Sequence, residues 1–325
     1  MPRSDTLRGF SCFRGLSAAL IFGILAVHWE RRRSGVHFIR AKSILSPQNG
    51  MNLYRGCTHG CIYCDSRSTC YQMDHPFEDV AVKINAPELL EEALRRKRRR
   101  CMIGTGSMCD PYLPLEKDLR LTRQCLELIA RYDFGVSILT KSDLILRDLD
   151  MLKRINEKTK AVVCTTLTTF DEDLCRILEP NVCTTRKRFE MLRTMRENGI
   201  HTGVWLCPIL PFLNDTEENL QGLLDDCFAA GVEVIVNFGF GVTLRDGDRQ
   251  YFYQQLDKHF PGMKDRYIRQ FGDSYQCSSP NHSALWKIFR TACEAQGVIW
   301  EPEKAMTWLM EFEDRQAGEQ LNLFT

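Results

Sequence analysis

The sequence predicts an α/β fold in which parallel strands form a closed or partly closed sheet, followed by a helical extension. Three observations predict it. Short apolar runs rich in β-branched residues recur about every 30 residues, the length of one strand–helix unit. Amphipathic helical patterns separate these runs, and past about residue 240 mainly helical patterns remain. Repeated strand–helix units favour parallel strands joined by right-handed crossovers.

Five apolar runs are predicted strands, and a further strand is expected before residue 57, which gives about six strand–helix units. The runs are residues 101–104, 135–140, 161–168, 201–209 and 232–237. An early helix is predicted from about 87 to 100, where Pro87 occupies the favoured first turn. In the clearest helix, apolar side chains follow the spacing of one helix face, at positions 220, 223, 224, 227 and 228.

These patterns divide the chain into four segments. Residues 36–240 form the predicted barrel, 241–313 the extension and 314–325 a flexible tail; the extension has predicted helices over 248–259 and 282–296 with a loop-rich stretch between them. Residues 1–35 are predicted to be a disordered leader or the product of a mis-assigned start. The apolar run 16–27 is shorter than the roughly 20 residues that span a bilayer. A membrane anchor is the alternative, but we expect no membrane partner and a cytoplasmic location.

Composition limits the remaining classes of function. The formal net charge is +1, so no global field attracts a polyanion. The chain has 15 cysteines in 325 residues, which is far too long for a disulfide-stapled miniprotein. A reducing compartment fits this usage better, with some cysteines bound to metal and others packed as small apolar side chains.

Three cysteines lie in one short loop. Cys57, Cys61 and Cys64 have the spacing C-x3-C-x2-C. Thiolates are the standard ligands of iron–sulfur clusters, and a four-iron cluster normally takes four, so three leave one iron open to a small molecule. A zinc site would need a fourth ligand, such as His59 or Cys70, and the sequence has no second C-x2-C pair. We expect His59 to be a solvent-facing loop residue.

The longer string NLYRGCTHGCIYCDSR, residues 52–67, resembles the radical S-adenosylmethionine (SAM) superfamily, and in particular its spore photoproduct lyase-like branch. The resemblance implies a partial (β/α)6 TIM-like barrel and a 4Fe-4S cluster held by Cys57, Cys61 and Cys64. Tyr63 stands in the aromatic position of the motif and is a candidate SAM contact. It also implies that SAM binds the open iron and that a reductant of flavodoxin or ferredoxin type supplies one electron. SAM would then be cleaved to methionine and a 5′-deoxyadenosyl radical.

The resemblance assigns candidate SAM contacts at the ends of the following strands. Gly106 and Ser107 stand where the superfamily has a Gly-Gly-Glu-like segment, although the glutamate is missing here. Lys141 matches a lysine that contacts the SAM carboxylate in the lyase-like family, and Ser142 follows it. The alternative for Lys141 is a surface lysine at a strand end. Thr166 is a further candidate for contact with the ribose or the carboxylate.

Cys109 is a candidate catalytic residue. In the lyase, a cysteine two residues before a Ser-Asp pair returns a hydrogen atom to the product radical. Here Ser107 occupies the position of that cysteine, and Cys109 occupies the position of the serine. A serine O–H bond is too strong to donate a hydrogen atom readily, so Cys109 is the candidate donor. The alternative is that Cys109 packs in the interior or contacts SAM.

Two segments point to macromolecular partners. The basic run 95–100 closes a predicted helix, where it is either a solvated end favoured by the helix dipole or a patch that contacts nucleic-acid phosphates. In the tail, a short motif resembles the peptide that bacterial proteins insert into the replication sliding clamp, and it comprises Gln320, Leu321, Leu323 and Phe324. The alternative is a terminal segment that folds back on its own core.

The sequence therefore predicts a radical SAM enzyme that acts on nucleic acid or a nucleic-acid-derived substrate, as a DNA repair lyase would. A second hypothesis keeps the same chemistry but takes a small metabolite or a protein as substrate. A third is a non-catalytic iron–sulfur protein, associated with DNA or the clamp, that does not cleave SAM.

Overall fold

The computed structural model describes residues 35–315. Two groups of predictions lie outside these residues and stay predictions. One is the leader, of which residues 1–34 are not described. The other is the clamp-binding motif in the tail, which comprises Gln320, Leu321, Leu323 and Phe324.

The strands are short and most precede a helix. They are β1 (Val36–Ile39), β2 (Gly50–Met51), β3 (Tyr54–Arg55), β4 (Val80–Lys83), β5 (Met102–Thr105), β6 (Gly135–Leu139), β7 (Ala161–Thr166), β8 (His201–Trp205), β9 (Val234–Val236), β10 (Gly241–Thr243) and β11 (Gln276–Ser278). The α-helices are α1 (Ala86–Arg96), α2 (Glu116–Leu119), α3 (Leu121–Arg131), α4 (Leu149–Lys158), α5 (Glu172–Leu178), α6 (Thr185–Glu197), α7 (Glu217–Ala229), α8 (Asp248–His259), α9 (Met263–Phe271), α10 (His282–Gln296) and α11 (Pro302–Met310).

The main sheet has six parallel strands in the order β2-β5-β6-β7-β8-β9. Each strand pairs with the next one in this order, which is also their order along the chain. This arrangement is the partial barrel that the sequence predicts, and the predicted α/β class is confirmed. Because the strands are parallel, the loops after β5, β6, β7 and β8 meet at one end of the barrel. Functional residues of parallel barrels lie at this C-terminal edge.

The two faces of the main sheet have different neighbours, because successive side chains of a strand alternate between faces. On the outer face, Val163 of β7 belongs to the large core shared with the helices. On the inner face, Val162 and Cys164 pack against Leu309 of α11. Thr166, one step further along the inner face, lines a cavity. Helix α11 therefore fills the lower part of the barrel, and the upper part is left for a ligand.

The N-terminal strands form a second sheet in the order β1-β4-β3. Strands β1 and β4 are parallel, with His37 opposite Ala81, whereas β3 runs antiparallel to β4. Strands of two residues, such as β3, carry no readable periodicity, so the sequence patterns do not predict this sheet.

The extension agrees with the predicted helices and differs in the stretch between them. Helices α8 and α10 occupy the predicted ranges. The stretch predicted to be loop-rich holds helix α9 and strand β11, which pairs antiparallel with β10. The antiparallel pair β10–β11 reaches the C-terminal end of the barrel, where it forms part of the wall of the cavity described below.

The basic run lies at the opposite end of the barrel from that edge. Helix α1 ends at Arg96, before the chain enters β5 at its N-terminal end. Arg95 and Arg96 form ion pairs with glutamates one turn earlier, at 2.9 and 2.5 Å, and Arg100 lies 3.3 Å from Asp133. This placement favours the solvated helix end over a phosphate-binding patch beside the site.

Between residues 35 and 315, no helix is long and apolar enough to cross a membrane.

Candidate active site

The three motif cysteines lie in the loop that follows β3, at the C-terminal edge of the main sheet. Cys57 and Cys61 are buried and Cys64 is half-buried. All three line a cavity of about 90 Å³. Three thiols around one small pocket are a donor set suited to an iron–sulfur cluster.

Backbone contacts fix this loop at its start and at its middle. The Cys57 N–H donates to the Phe77 carbonyl at 2.9 Å, and the Ile62 N–H donates to the Leu178 carbonyl at 3.0 Å. Gly56 has a φ of +91°, and a Cβ there would lie 2.6 Å from the same Phe77 oxygen. A larger residue at position 56 would push the loop away from its support, because both the conformation and the space favour glycine.

His59 is buried, so the prediction of a solvent-facing residue is wrong. Its exposed fraction is 4%, and its Nδ1 lies 3.5 Å from Oδ2 of Asp110. Burial acts to lower the pKa of His59, but Asp110 and the Cys57 thiol outweigh it, and the net shift is upward. The reason for the error is the distant partner, which comes from the loop after β5.

Asp110 joins three parts of the site. Besides its contact with His59, its carboxylate accepts hydrogen bonds from the Tyr112 N–H at 2.8 Å, the Thr140 hydroxyl at 2.7 Å and the Lys141 N–H at 2.7 Å. The carboxylate thus ties the cysteine loop to the ends of β5 and β6. All of these partners belong to the protein itself.

Tyr63 anchors the cysteine loop to a buried ion pair that the sequence patterns do not reveal. Its hydroxyl donates to Glu179, and Glu179 lies 2.6 Å from Nη2 of Arg188. Both charged side chains are fully buried. Arg188 also donates to the carbonyls of Thr166, at 2.8 Å, and Cys183, at 2.9 Å. Burial acts to raise the pKa of Glu179, but Arg188 and then Lys141 outweigh it, so the carboxylate is held ionised.

Lys141 extends into the site from a backbone that is held on both sides. Its N–H donates to Asp110 and its carbonyl accepts from the Cys183 thiol at 3.0 Å. The side chain lines both the small cavity and a larger one beside it. Among residues 35–315, no carboxylate lies within ion-pair distance of Nζ. Burial acts to lower the pKa of Lys141, but Cys61 and Glu179 raise it overall, so the ammonium stays charged and can bind an anionic group.

Gly106 brings the loop after β5 against the end of β6. Its φ is +101°, and a Cβ would lie 1.9 Å from the Leu139 carbonyl oxygen. Only glycine allows this approach. The backbone at 106–108 therefore forms part of the wall that the two cavities share.

The larger cavity has a volume of about 400 Å³ and continues from the cysteine pocket. Its far wall is aromatic: Trp205 and Phe238 lie edge to face, with ring centroids 6.0 Å apart. Phe240 and His282 extend this wall, and the β10–β11 pair contributes Thr243 and Gln276. Phe238 is 58% exposed, an unusual position for a phenylalanine, and it lies at the rim.

The remaining predicted site residues fall into three groups. Ser107 and Thr166 line both cavities. Cys109 lines only the small one, where its thiol donates to the Gly56 carbonyl at 2.9 Å and faces Cys57. Ser142 lines neither; its hydroxyl accepts from the Leu144 N–H at 3.3 Å and caps a 3-10 helix.

A partial parallel barrel with three clustered thiols and an adjoining cavity defines an iron–sulfur protein built to hold a second ligand. The model of the radical SAM superfamily matches residues 51–227, and the chain belongs to that superfamily. An uncharacterized protein of Mycobacterium tuberculosis is 33% identical over 223 residues, which are 67% of this chain and 65% of that protein. The chain thus spans just under two thirds of the length of this relative.

Two further proteins are informative. The "Radical SAM Nalpha-GlyT isomerase" of Pseudomonas phage M6 is 24% identical over 213 residues, 65% of this chain and 42% of that protein. The structure of spore photoproduct lyase complexed with dinucleoside spore photoproduct matches with a TM-score of 0.59 and 15% identity, over 82% of this chain and 81% of that chain. At this identity the likeness is one of fold.

Membership in this superfamily gives the cofactors, a 4Fe-4S cluster and SAM, and the residues fit both. Cys57, Cys61 and Cys64 would hold the cluster and leave one iron without a protein ligand. The ammonium of Lys141 and the backbone at Gly106 face the space beside it. When bound, the reduced cluster supplies one electron to SAM, and the surrounding residues position the ligand and exclude water.

Proposed function

We propose that the protein cleaves SAM reductively to a 5′-deoxyadenosyl radical and uses it to abstract a hydrogen atom from a nucleobase-containing substrate. The observation that carries the proposal is the larger cavity, which continues from the cysteine pocket and ends in an aromatic wall. Aromatic side chains offer flat faces on which any base can stack.

The site supports each part of this chemistry with its own residues. Lys141 supplies a positive charge for the methionine carboxylate of SAM, and Tyr63 holds the cluster loop against Glu179. The hydrogen atom taken from a substrate C–H bond would end in 5′-deoxyadenosine and leave a carbon radical on the substrate. A structure of spore photoproduct lyase holds AdoMet together with a dinucleoside, which supports room for both ligands in this fold.

Isotope transfer tests the substrate class. We would incubate the anaerobically reconstituted protein with SAM, reductant and one of three deuterated probes: thymidine dinucleotides, hydrolysed RNA, or a mixture of peptides and amino acids. Deuterium in 5′-deoxyadenosine, read by mass spectrometry, is expected with a nucleic-acid probe. Deuterium from the peptide and amino-acid mixture alone would overturn the nucleic-acid assignment and favour a protein or small-metabolite substrate.

Replacing Phe238 with alanine is expected to raise the KM for a nucleic-acid probe that supports isotope transfer about 10- to 100-fold, because one base–aromatic stack is worth about 1–3 kcal/mol. The SAM affinity is expected to stay unchanged. Phe170→Ala is the matched control, since Phe170 is also largely exposed, at 48%, but does not line the cavity. A variant that loses SAM affinity and keeps the probe KM would assign Phe238 to the SAM site and contradict the base-stacking role.

Replacing Cys109 with alanine is expected to leave the products unchanged while making the cluster easier to lose. Its thiol is turned toward Gly56 and Cys57 and does not reach the larger cavity, so the geometry favours a positioning role over hydrogen-atom donation. The measurement is a product profile together with the iron content after storage in air. New or rearranged products at unchanged iron content would instead identify Cys109 as the hydrogen donor.

A further inference from the structure

Three potential metal ligands lie together on the N-terminal sheet, away from the cysteine loop. His37 belongs to β1, whereas His75 and Asp79 belong to the segment that leads into β4. Because His37 pairs with Ala81 and side chains alternate along a strand, Asp79, two residues earlier, projects from the same face as His37. The strand register therefore places His37 beside Asp79, and His75 joins them from the loop before β4.

The three side chains lie close enough together to share one ion. His37 Nδ1 lies 3.1 Å from Asp79 Oδ1, and the His37 and His75 rings meet edge to face with centroids 4.7 Å apart. One nitrogen or oxygen from each of the three side chains lies within 4.8 Å of the other two. Ligands bonded to one tetrahedral ion at about 2.0–2.2 Å are separated by about 3.3–3.6 Å, so small side-chain movements would bring the three atoms onto one ion.

His75 is oriented as a metal-binding histidine usually is. Its Nδ1 lies 3.1 Å from the Pro76 carbonyl oxygen, which can only accept, so Nδ1 carries the hydrogen and Nε2 presents its lone pair. The side chain is only 13% exposed. Asp74 Oδ1 lies 3.9 Å from this Nε2. The Asp74 side chain is 83% exposed, so it has room to move toward the ion as a fourth ligand.

We propose that His37, His75 and Asp79 form a second metal site, which binds a divalent transition ion and suits Zn²⁺ best. Two imidazoles and one carboxylate are a frequent zinc donor set, whereas Mg²⁺ and Ca²⁺ prefer oxygen ligands. A hydrogen-bonded His37–Asp79 pair alone would explain two of the three residues but not the orientation of His75.

The proposed site braces the segment that supports the cluster loop. Phe77 accepts the hydrogen bond from Cys57, and the Arg67 guanidinium lies between the Phe77 and Tyr251 rings, 4.4 and 3.7 Å from their centroids. Glu78 lies 2.5 Å from Arg67. Both ends of the cluster loop thus rest on residues between His75 and Asp79, and an ion bound there would hold this support against β1.

Zinc binding to the full-length holoprotein tests the proposal. The anaerobically reconstituted protein would be titrated with ZnCl2 against a chromophoric chelator, with iron and zinc counted by mass spectrometry. We expect one zinc per chain at unchanged iron content, and a higher melting temperature with zinc than without. His37→Ala and His75→Gln are each expected to weaken zinc binding at least about 10-fold and to remove the thermal shift.

Two controls separate this site from other ligands. His259→Ala removes a histidine of α8 that is not among the three proposed ligands, and Cys70→Ser removes an exposed thiol; both are expected to bind zinc as the wild type does. If His37→Ala disturbs β1 and lowers the iron content, zinc affinity is judged from His75→Gln, because His75 lies in a loop and not in a strand. A wild type that binds no zinc, or His75→Gln and wild type with equal affinity, would overturn the proposal.

Discussion

Replacing Arg188 with methionine is expected to destabilise the folded holoprotein by about 3–5 kcal/mol. The guanidinium is the partner of the fully buried Glu179, and methionine would leave that carboxylate charged and buried, with the Tyr63 hydroxyl, the Cys175 thiol and the field of Lys141 around it. It would also leave the Thr166 and Cys183 carbonyls without their donor. The free energy of unfolding, measured anaerobically by urea denaturation, checks this.

Two comparisons make the Arg188 result interpretable. The double variant Arg188→Met plus Glu179→Gln is expected to recover much of the loss, because removing both charges leaves no buried ion unpaired. Arg186→Met, on the same helix, removes an arginine that is 82% exposed and is expected to cost less than about 1 kcal/mol. If Arg188→Met were as mild as Arg186→Met, the buried pair would not be the anchor of the cluster loop.

Replacing Lys141 with methionine is expected to raise the Kd for SAM about 10- to 100-fold while the cluster is retained. A hydrogen bond to a charged group is worth about 1.5–3 kcal/mol, and the ammonium faces the shared cavity with its backbone fixed by Asp110 and Cys183. Calorimetric titration of the reconstituted protein with SAM measures the change.

The controls for Lys141 test charge and position separately. Lys141→Arg keeps the positive charge and is expected to retain part of the affinity, whereas Lys153→Met, at an exposed position of α4, is expected to have no effect. Normal SAM binding by Lys141→Met would contradict the assignment of this lysine to the SAM carboxylate.

Much of the barrel could be predicted because its signals are local. The strands β6, β7 and β8 begin at the predicted residues, and α8 and α10 occupy the predicted ranges, since each carries its own periodicity or cap. The spacing of the three cysteines likewise defines a metal site within one loop. These features depend on residues close together in the sequence, so sequence patterns are enough to predict them.

The features that could not be predicted depend on distant partners. His59 is buried against Asp110, which lies about fifty residues later in the sequence and contacts its Nδ1. The Glu179–Arg188 pair has no clear signal in the sequence. The one trace of it is that Arg188 lies on the same helix face as the buried apolar residues Leu192 and Met195 of α6. Strands β2 and β3 have two residues each and β11 has three, which is too short for any periodicity to appear.

The central claim, that this chain uses its cysteine loop to cleave SAM, is tested most directly by product formation. The anaerobically reconstituted protein, given SAM and a low-potential reductant, is predicted to form methionine and 5′-deoxyadenosine, and Cys61→Ala is predicted to form neither. A protein with an intact cluster that binds SAM under these conditions and yields no 5′-deoxyadenosine would contradict the claim and identify the cluster as structural or redox-sensing.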